Sequence, residues 1–370
     1  MLRALFVHAH HEWGPQRGPQ ARNAGPGDFT PCIAPGIPFH RKSPCDPTNR
    51  HRKLAKGFIR NGHDVVEFSY LDLLAQLSPV NFRGLAARLA KEKADRALVS
   101  LASQYSPDMV VLFNLKRLDE QTVLRLKETA PGALYVAMHG DMHHGCDADV
   151  LRIARLCDWF MPTSAGAALR WYKEAGVARC AFVPNVADGD LEYPRPAPPQ
   201  WRSDVLFTGK LWHDLEGQDP HREELIRHLA AGGKLTAWGC LGRPDVSGLD
   251  YVNAICGARI ALSVNAFNDV RLYHSDRLTH YLSHGTFVLA KGVPDSELMF
   301  EDGRHLCYFN TAEQCDELID RFLADDAARQ RIAAAGMERV HEAFGCRSIA
   351  RHVVDIATTG RCGQEWAEVI

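Results

Sequence analysis

The chain has 370 residues, of which 46% are hydrophobic and 24% charged, with a formal net charge of -2. That size and balance suit two globular domains, each with its own core, and exclude a global field drawing the chain to nucleic acid or a membrane surface. No apolar run approaches the roughly 20 residues that a bilayer span requires, so no transmembrane segment is expected. Eleven cysteines are scattered from Cys32 to Cys362 with no Cys-x-x-Cys pair. This is the usage of reduced, cytoplasmic thiols rather than of a disulfide framework or a structural zinc site.

In chain order, Leu2 to Val7 is short and apolar and runs into His8-Ala9-His10-His11. It reads as a first β-strand rather than a signal peptide. The segment from His8 to about Asn49 is broken by glycines and prolines and can form neither a continuous helix nor a continuous strand. Between Gln16 and Arg60, nine Lys or Arg residues stand against only Asp28 and Asp46. This basic insertion, about 12–49, reads either as a loop gripping an acceptor with anionic groups or as a solvated segment without fixed structure. Thr48 or Asn49 caps a helix to Ile59, and Asn61-Gly62-His63 turns into a strand over Asp64 to Phe68. A long amphipathic helix covers Ala86 to Gln104. Buried strands follow at Met109 to Phe113 and at Leu134 to Met138, the second ending in His139-Gly140-Asp141-Met142-His143-His144. Strands at Asp158 to Met161 and Arg179 to Val183, with a helix over Ala165 to Glu174 between them, complete a β/α alternation. That alternation predicts a doubly wound parallel sheet.

The proline-rich stretch Tyr193 to Gln200 is a stiff, extended linker. It divides the chain into a first domain over 1–192, a second over 201–346, and a tail helix over 347–370 that crosses back to the first. The second domain opens on Asp204-Val205-Leu206-Phe207-Thr208-Gly209-Lys210, where a strand ends in a glycine that permits close backbone approach and a lysine that brings charge. Its centre is Gly257 to Gly292. Ile260 to Val264 reads as a buried strand, Asn265 opens a polar loop, and Ser275 or Asp276 can cap a helix to about His284. Gly285 closes that helix, and Thr286 to Ala290 is the next strand. The loop of this βαβ unit lies at the carboxyl edge of a parallel sheet, outside which ligands bind in open α/β folds. Arg277, His280, Tyr281 and His284 share one helix side. Arg277 in the first turn reads either as a clamp for a phosphorylated ligand or as the partner of Asp276 or Asp269.

Ser275 to Gly285, SDRLTHYLSHG, resembles the S-x-R-x-F-E-x-x-A-x-G segment of GT-B glycosyltransferases of the spore-maturation CgeB-like group. The resemblance continues through Gly292 to Leu298, Phe300 to Gly303, Ala312 to Leu318 and the closing helix Ala333 to Phe344, about the C-terminal half. Val183 to Asp188 is similar to the P-N-x-x-D turn at the GT-B domain junction. The implied fold is GT-B, two Rossmann-like doubly wound domains facing a cleft. The implied activity is sugar transfer from a nucleotide-sugar co-substrate, with no other cofactor and no bound metal. The acceptor is open between saccharide, protein and small metabolite. The donor site is expected at Gly209, Lys210, Asn265, Arg271, Tyr273, Ser275, Arg277 and His280, with Gly209-Lys210 and the position of His280 the parts that the resemblance implies. His280 stands where the family carries an acidic residue, and Leu272 where many retaining relatives carry another, so the stereochemistry is open. As base for the acceptor hydroxyl the strand ends offer His8, His10, His11, Glu12 and His139, the last oriented by Asp141. Two rival readings remain. His8-x-His10-His11-Glu12 and His139-x-Asp141-x-His143-His144 hold enough ligands for a zinc hydrolase, and the departure at His280 suits a nucleotide-binding protein without transfer activity.

Overall fold

The computed structural model describes residues 1–8, 13–14, 40–41, 50–77, 84–113, 115, 118–140, 148–211 and 217–370. The first domain runs β1 (Arg3–His8), β2 (Trp13–Gly14), β3 (His40–Arg41), α1 (Arg50–Arg60), β4 (Asp64–Ser69), α2 (Tyr70–Leu77), α3 (Gly84–Tyr105), β5 (Met109–Phe113), α4 (Glu120–Thr129), β6 (Leu134–His139), α5 (Ala148–Ala154), β7 (Trp159–Pro162) and α6 (Ala167–Glu174). The second runs β8 (Ser203–Thr208), α7 (His221–Ala231), β9 (Leu235–Trp238), α8 (Gly248–Gly257), β10 (Ala258–Ser263), α9 (Asp276–Ser283), β11 (Phe287–Lys291), β12 (Cys307–Phe309), α10 (Ala312–Ala324) and α11 (Asp326–Ala343), followed by α12 (Cys346–Thr359).

Aliphatic strands buried on both faces are what a covered parallel sheet requires. Ala4 to Val7 and Met109 to Leu112 are fully buried, as are Val205 to Phe207 and Ile260 to Leu262. They build two five-stranded parallel sheets, ordered β4-β1-β5-β6-β7 and β12-β11-β10-β8-β9. The two orders are the same winding: the first strand of each domain lies between its second and its third. The direction of winding therefore reverses between β1 and β5 and between β8 and β10, and a crevice opens at the carboxyl ends of each pair.

The strand expected over Arg179 to Val183 is reduced to single bridges, Cys180 beside Phe160 and Ala181 antiparallel to Val369. Its partner is the chain's last few residues, which nothing local in the sequence could announce. α12 packs on α1, so closely that a methyl at Gly57 would collide with the Cys346 carbonyl. At the junction of the domains, Lys53 and Glu192 form a buried ion pair at 2.8 Å, and Lys56 pairs with buried Asp188 at 2.7 Å. Lys53, Lys56 and Arg60, three of the nine basic residues counted toward an anionic acceptor, thus serve the carboxylates of the junction. The remainder of the insertion, apart from Trp13–Gly14, His40–Arg41 and the start of α1, lies outside the described residues.

Candidate functional site

β8 and β10 flank the reversal in the second sheet, and the side chains at their ends define the site. After Thr208 the backbone turns through Gly209 at φ +148°, a conformation that side chains beyond glycine rarely adopt. A methyl there would also collide with the Arg277 guanidinium. Arg277 donates Nη1 to the Thr208 carbonyl at 2.5 Å and Nη2 to the Val264 carbonyl at 2.7 Å, and lies 4.8 Å above the Phe207 ring. One guanidinium thus ties together the two strand ends at the mouth of the crevice, and Arg277 pairs with neither Asp276 nor Asp269.

A second guanidinium joins it. Arg222, in the first turn of α7, is 6% exposed, donates Nε to the same Val264 carbonyl at 3.1 Å and lies 5.5 Å from Phe207. Burial, with the adjacent Arg277 charge, lowers it to about 10. Among the described residues, neither guanidinium has a carboxylate within ion-pair distance. Two neighbouring cations that, among the described residues, meet carbonyl oxygens and the Phe207 ring but no carboxylate concentrate positive charge at these strand ends, which suits an anion with several oxygens. Sequence reasoning missed Arg222. In His-Arg-Glu-Glu-Leu it reads as a surface residue beside two acids, although Glu223 pairs instead with Arg227.

Asn265 is the hub of the loop that follows β10. Its Oδ1 accepts from the Ser275 N–H at 3.0 Å and its Nδ2 donates to the Tyr273 carbonyl at 3.3 Å, fixing both ends of the turn that launches α9. Ser275 has the extended backbone of an N-cap, yet its hydroxyl makes no capping bond and is buried without a hydrogen-bond partner. Lys210 is exposed and lies 3.4 Å from exposed Asp245, a pair weak enough for a ligand to displace.

Three expected donor contacts are placed otherwise. Arg271 has its charge met by Asp295 at 2.6 Å and Glu368 at 2.5 Å, and the same Glu368 oxygen accepts from the Gly166 N–H at 2.9 Å. It latches the loop to α6 and the tail. Burial opposes its charge, but the two carboxylates outweigh burial and hold the guanidinium above its usual range. Tyr273 packs in an apolar cluster with Ala168, Phe267 and Val270. His280 is 3% exposed, with Nδ1 3.1 Å from the Tyr251 hydroxyl and Nε2 3.8 Å from Glu192. Arg277, His280, Tyr281 and His284 do share a side of α9, as their spacing requires. That side is buried, however: Tyr281 bonds Thr208, and His284 is 2% exposed. Of these four, Arg277 alone is partly exposed, whereas His280, expected to face a sugar, is buried. Leu272, the other position at which the resemblance implies an acid in many retaining relatives, is buried with φ +56°. That left-handed backbone is strained for leucine. Its N–H bonds the Pro294 carbonyl at 3.0 Å.

In the first domain, His139 ends β6 half-buried, and its carbonyl accepts from the Thr163 N–H at 3.2 Å. Asp141 and His10 lie outside the described residues, as do His11, Glu12, His143 and His144. Of the histidine-rich strand ends only His8 and His139 are described. His8 is buried and stacked on His51, which the sequence reading did not single out. No helix among the described residues is long and apolar enough to cross a membrane.

Residues 219–355 match the model of a glycosyl transferase-like family. No curated protein matches the chain in sequence. Among solved structures, Alr3699/HepE of Anabaena in complex with UDP-glucose superposes with a TM-score of 0.56 at 12% identity, covering 97% of this chain and 100% of that one. Sucrose-phosphate synthase of Thermosynechococcus elongatus gives 0.52 at 15% identity over 82% and 91% of the two chains. AviGT4, a glycosyltransferase involved in avilamycin A biosynthesis, gives 0.52 at 14% identity over 96% and 97%. At these identities the likeness is one of fold, and the fold is GT-B.

Proposed function

This chain is a GT-B-fold protein whose C-terminal half carries a glycosyl transferase-like domain, and on that premise we propose that it transfers a sugar from a nucleoside diphosphate sugar to an acceptor hydroxyl. The observation that carries this reading is the pair Arg222 and Arg277, held at the ends of β8 and β10 without a carboxylate among the described residues. In the transfer, an acceptor oxygen bonds to the anomeric carbon and the bond from that carbon to the diphosphate breaks. Charge then grows on the departing diphosphate. Fixed cations aimed at that charge stabilise the transition state more than the ground state. Arg277 and Arg222 fill this role, Lys210 adds charge from the rim, and Gly209 lets the backbone approach the phosphate. Charge carried by guanidinium groups makes the departure independent of a divalent ion. His139, at a strand end of the acceptor-side domain, is the candidate to take the hydroxyl proton. Because HepE was solved with UDP-glucose, uridine diphosphate sugars are the first donors to test.

The experiment is calorimetric titration with uridine, thymidine and guanosine diphosphates and their sugars, followed by assay of sugar release and transfer. Failure of every nucleoside diphosphate to bind would sink the proposal. A second reading, nucleotide binding without transfer, is favoured by Leu272 and His280 occupying the two positions where relatives carry acids. Tight binding with no turnover of any bound sugar nucleotide would select it.

A further inference from the structure

A second cluster of chemistry-bearing side chains lies in the first domain, away from the donor crevice of the second. α1 lies across β1 in register: Phe58 meets Phe6 edge-to-face at 5.1 Å, and one heptad earlier His51 meets His8 in a stack at 4.0 Å. Both imidazoles are 1% exposed. Glu67 on β4 is the Cα partner of Phe6. In a parallel pair it therefore rises on the same face as Phe6 and, two residues on, His8. The three residues each bring one ligating atom into a group whose members all lie within 4.8 Å of one another, with the two histidines buried and the glutamate at the surface.

We propose that His8, His51 and Glu67 bind a divalent transition-metal ion of the zinc class. The donor set is two imidazole nitrogens and one carboxylate oxygen, which suits zinc and its neighbours and disfavours magnesium and calcium, whose shells are built of oxygen. A metal takes the lone pair of a neutral imidazole, and the two stacked rings offer one such nitrogen each. The ligands come from three different elements, β1, α1 and β4. An ion there fastens the first turn of α1 to the carboxyl edge of the sheet, and α1 in turn carries Lys53 to the buried junction with Glu192. The ion would thus brace the wall of the acceptor-side domain, and the donor chemistry proposed above runs without it.

Binding can be read without turnover. The full-length protein is stripped with EDTA, desalted, and titrated with zinc, and separately with cobalt, whose visible absorption reports nitrogen and oxygen ligation. One ion per chain is expected, with a higher melting temperature for the loaded protein. Affinity for that ion falls at least tenfold in His51→Gln and in Glu67→Gln. Glu67 is exposed, so Glu67→Gln decides the matter if the buried substitution fails to fold. Absence of stoichiometric uptake, or uptake of unchanged affinity in Glu67→Gln and in any folded His51→Gln, overturns the proposal. The latter result would assign the ion to other histidines of the chain.

Discussion

Arg277 and Arg222 converge on one carbonyl, that of Val264. Their charges add at one point because the strand end gives them hydrogen bonds without neutralising them. Arg277→Ala is expected to weaken nucleoside diphosphate binding by about 1.5–3 kcal/mol, the range of a charged hydrogen bond, and Arg222→Met to weaken it by about 1 kcal/mol or more with its packing largely kept. Calorimetry on both variants checks this, and unchanged affinity in either removes that residue from the site. His280 leads to the opposite expectation. Its ring is buried, with Tyr251 at one nitrogen and Glu192 near the other. Donor affinity from pH 8 to 6 is therefore expected to follow the same profile in wild type and in His280→Gln. A slope present only in the wild type would restore His280 to the ligand.

At the scale of elements, the loop between β10 and α9 is held by two devices: the Asn265 hub inside and the Arg271 latch outside. The latch reaches the far end of the chain through Glu368 and meets α6 through the Gly166 N–H. Glu368→Gln is expected to destabilise the protein by about 1–2 kcal/mol, as loss of a partly buried charged bond does, while leaving nucleoside diphosphate affinity within about twofold. Denaturant melts and calorimetry measure the two sides, and an affinity loss as large as that of Arg277→Ala would bring the latch into the donor site. α9 is flanked by two buried histidines, His274 and His284, each lowered by burial from 6.5 to about 4. Between those values the unfolded chain binds protons that the folded one does not. Stability from this source is full above about pH 6.5 and is lost as pH falls toward 4, by up to about 3 kcal/mol for each ring. Unfolding free energies at pH 7, 6, 5 and 4 test it, with a flatter profile expected in His274→Asn and His284→Asn.

For the molecule as a whole, the two domains divide the work. On the proposed function, the second would present cations to a leaving group, and the first would supply the acceptor wall and the proposed metal. Exhaustive chelation is accordingly expected to lower the melting temperature while leaving the initial transfer rate unchanged at a temperature where the protein stays folded. A rate abolished by chelation and restored by magnesium or manganese would put a metal in the donor step and remove that role from the arginines. The domains are joined through buried charge, Lys53 with Glu192, where removing one partner strands the other in the core. Burial raises the Glu192 carboxyl, opposed by Lys53, so the junction depends on that lysine remaining in place.

Much of this was legible in the sequence. Strand identity follows from runs such as Val110-Val111-Leu112 and Ile260-Ala261-Leu262, and α9 is bounded by Ser275 and Gly285, because apolar periodicity and helix ends are written within a few residues. For the same reason Arg277 could be placed at the head of α9 and Gly209 at the end of β8. What faces what was decided only by the tertiary structure. Arg271 finds Glu368 97 positions away, and His280 sits against Glu192 from the domain junction. Arg222 joins Arg277 only because α7 and α9 start at the two sides of one sheet reversal. His8, His51 and Glu67 come from a strand, a helix and a neighbouring strand, and meet only when α1 is laid on the sheet. A side chain's spacing tells which face of its own element it occupies. Whether that face meets solvent, a ligand or another element depends on contacts between residues far apart in the chain.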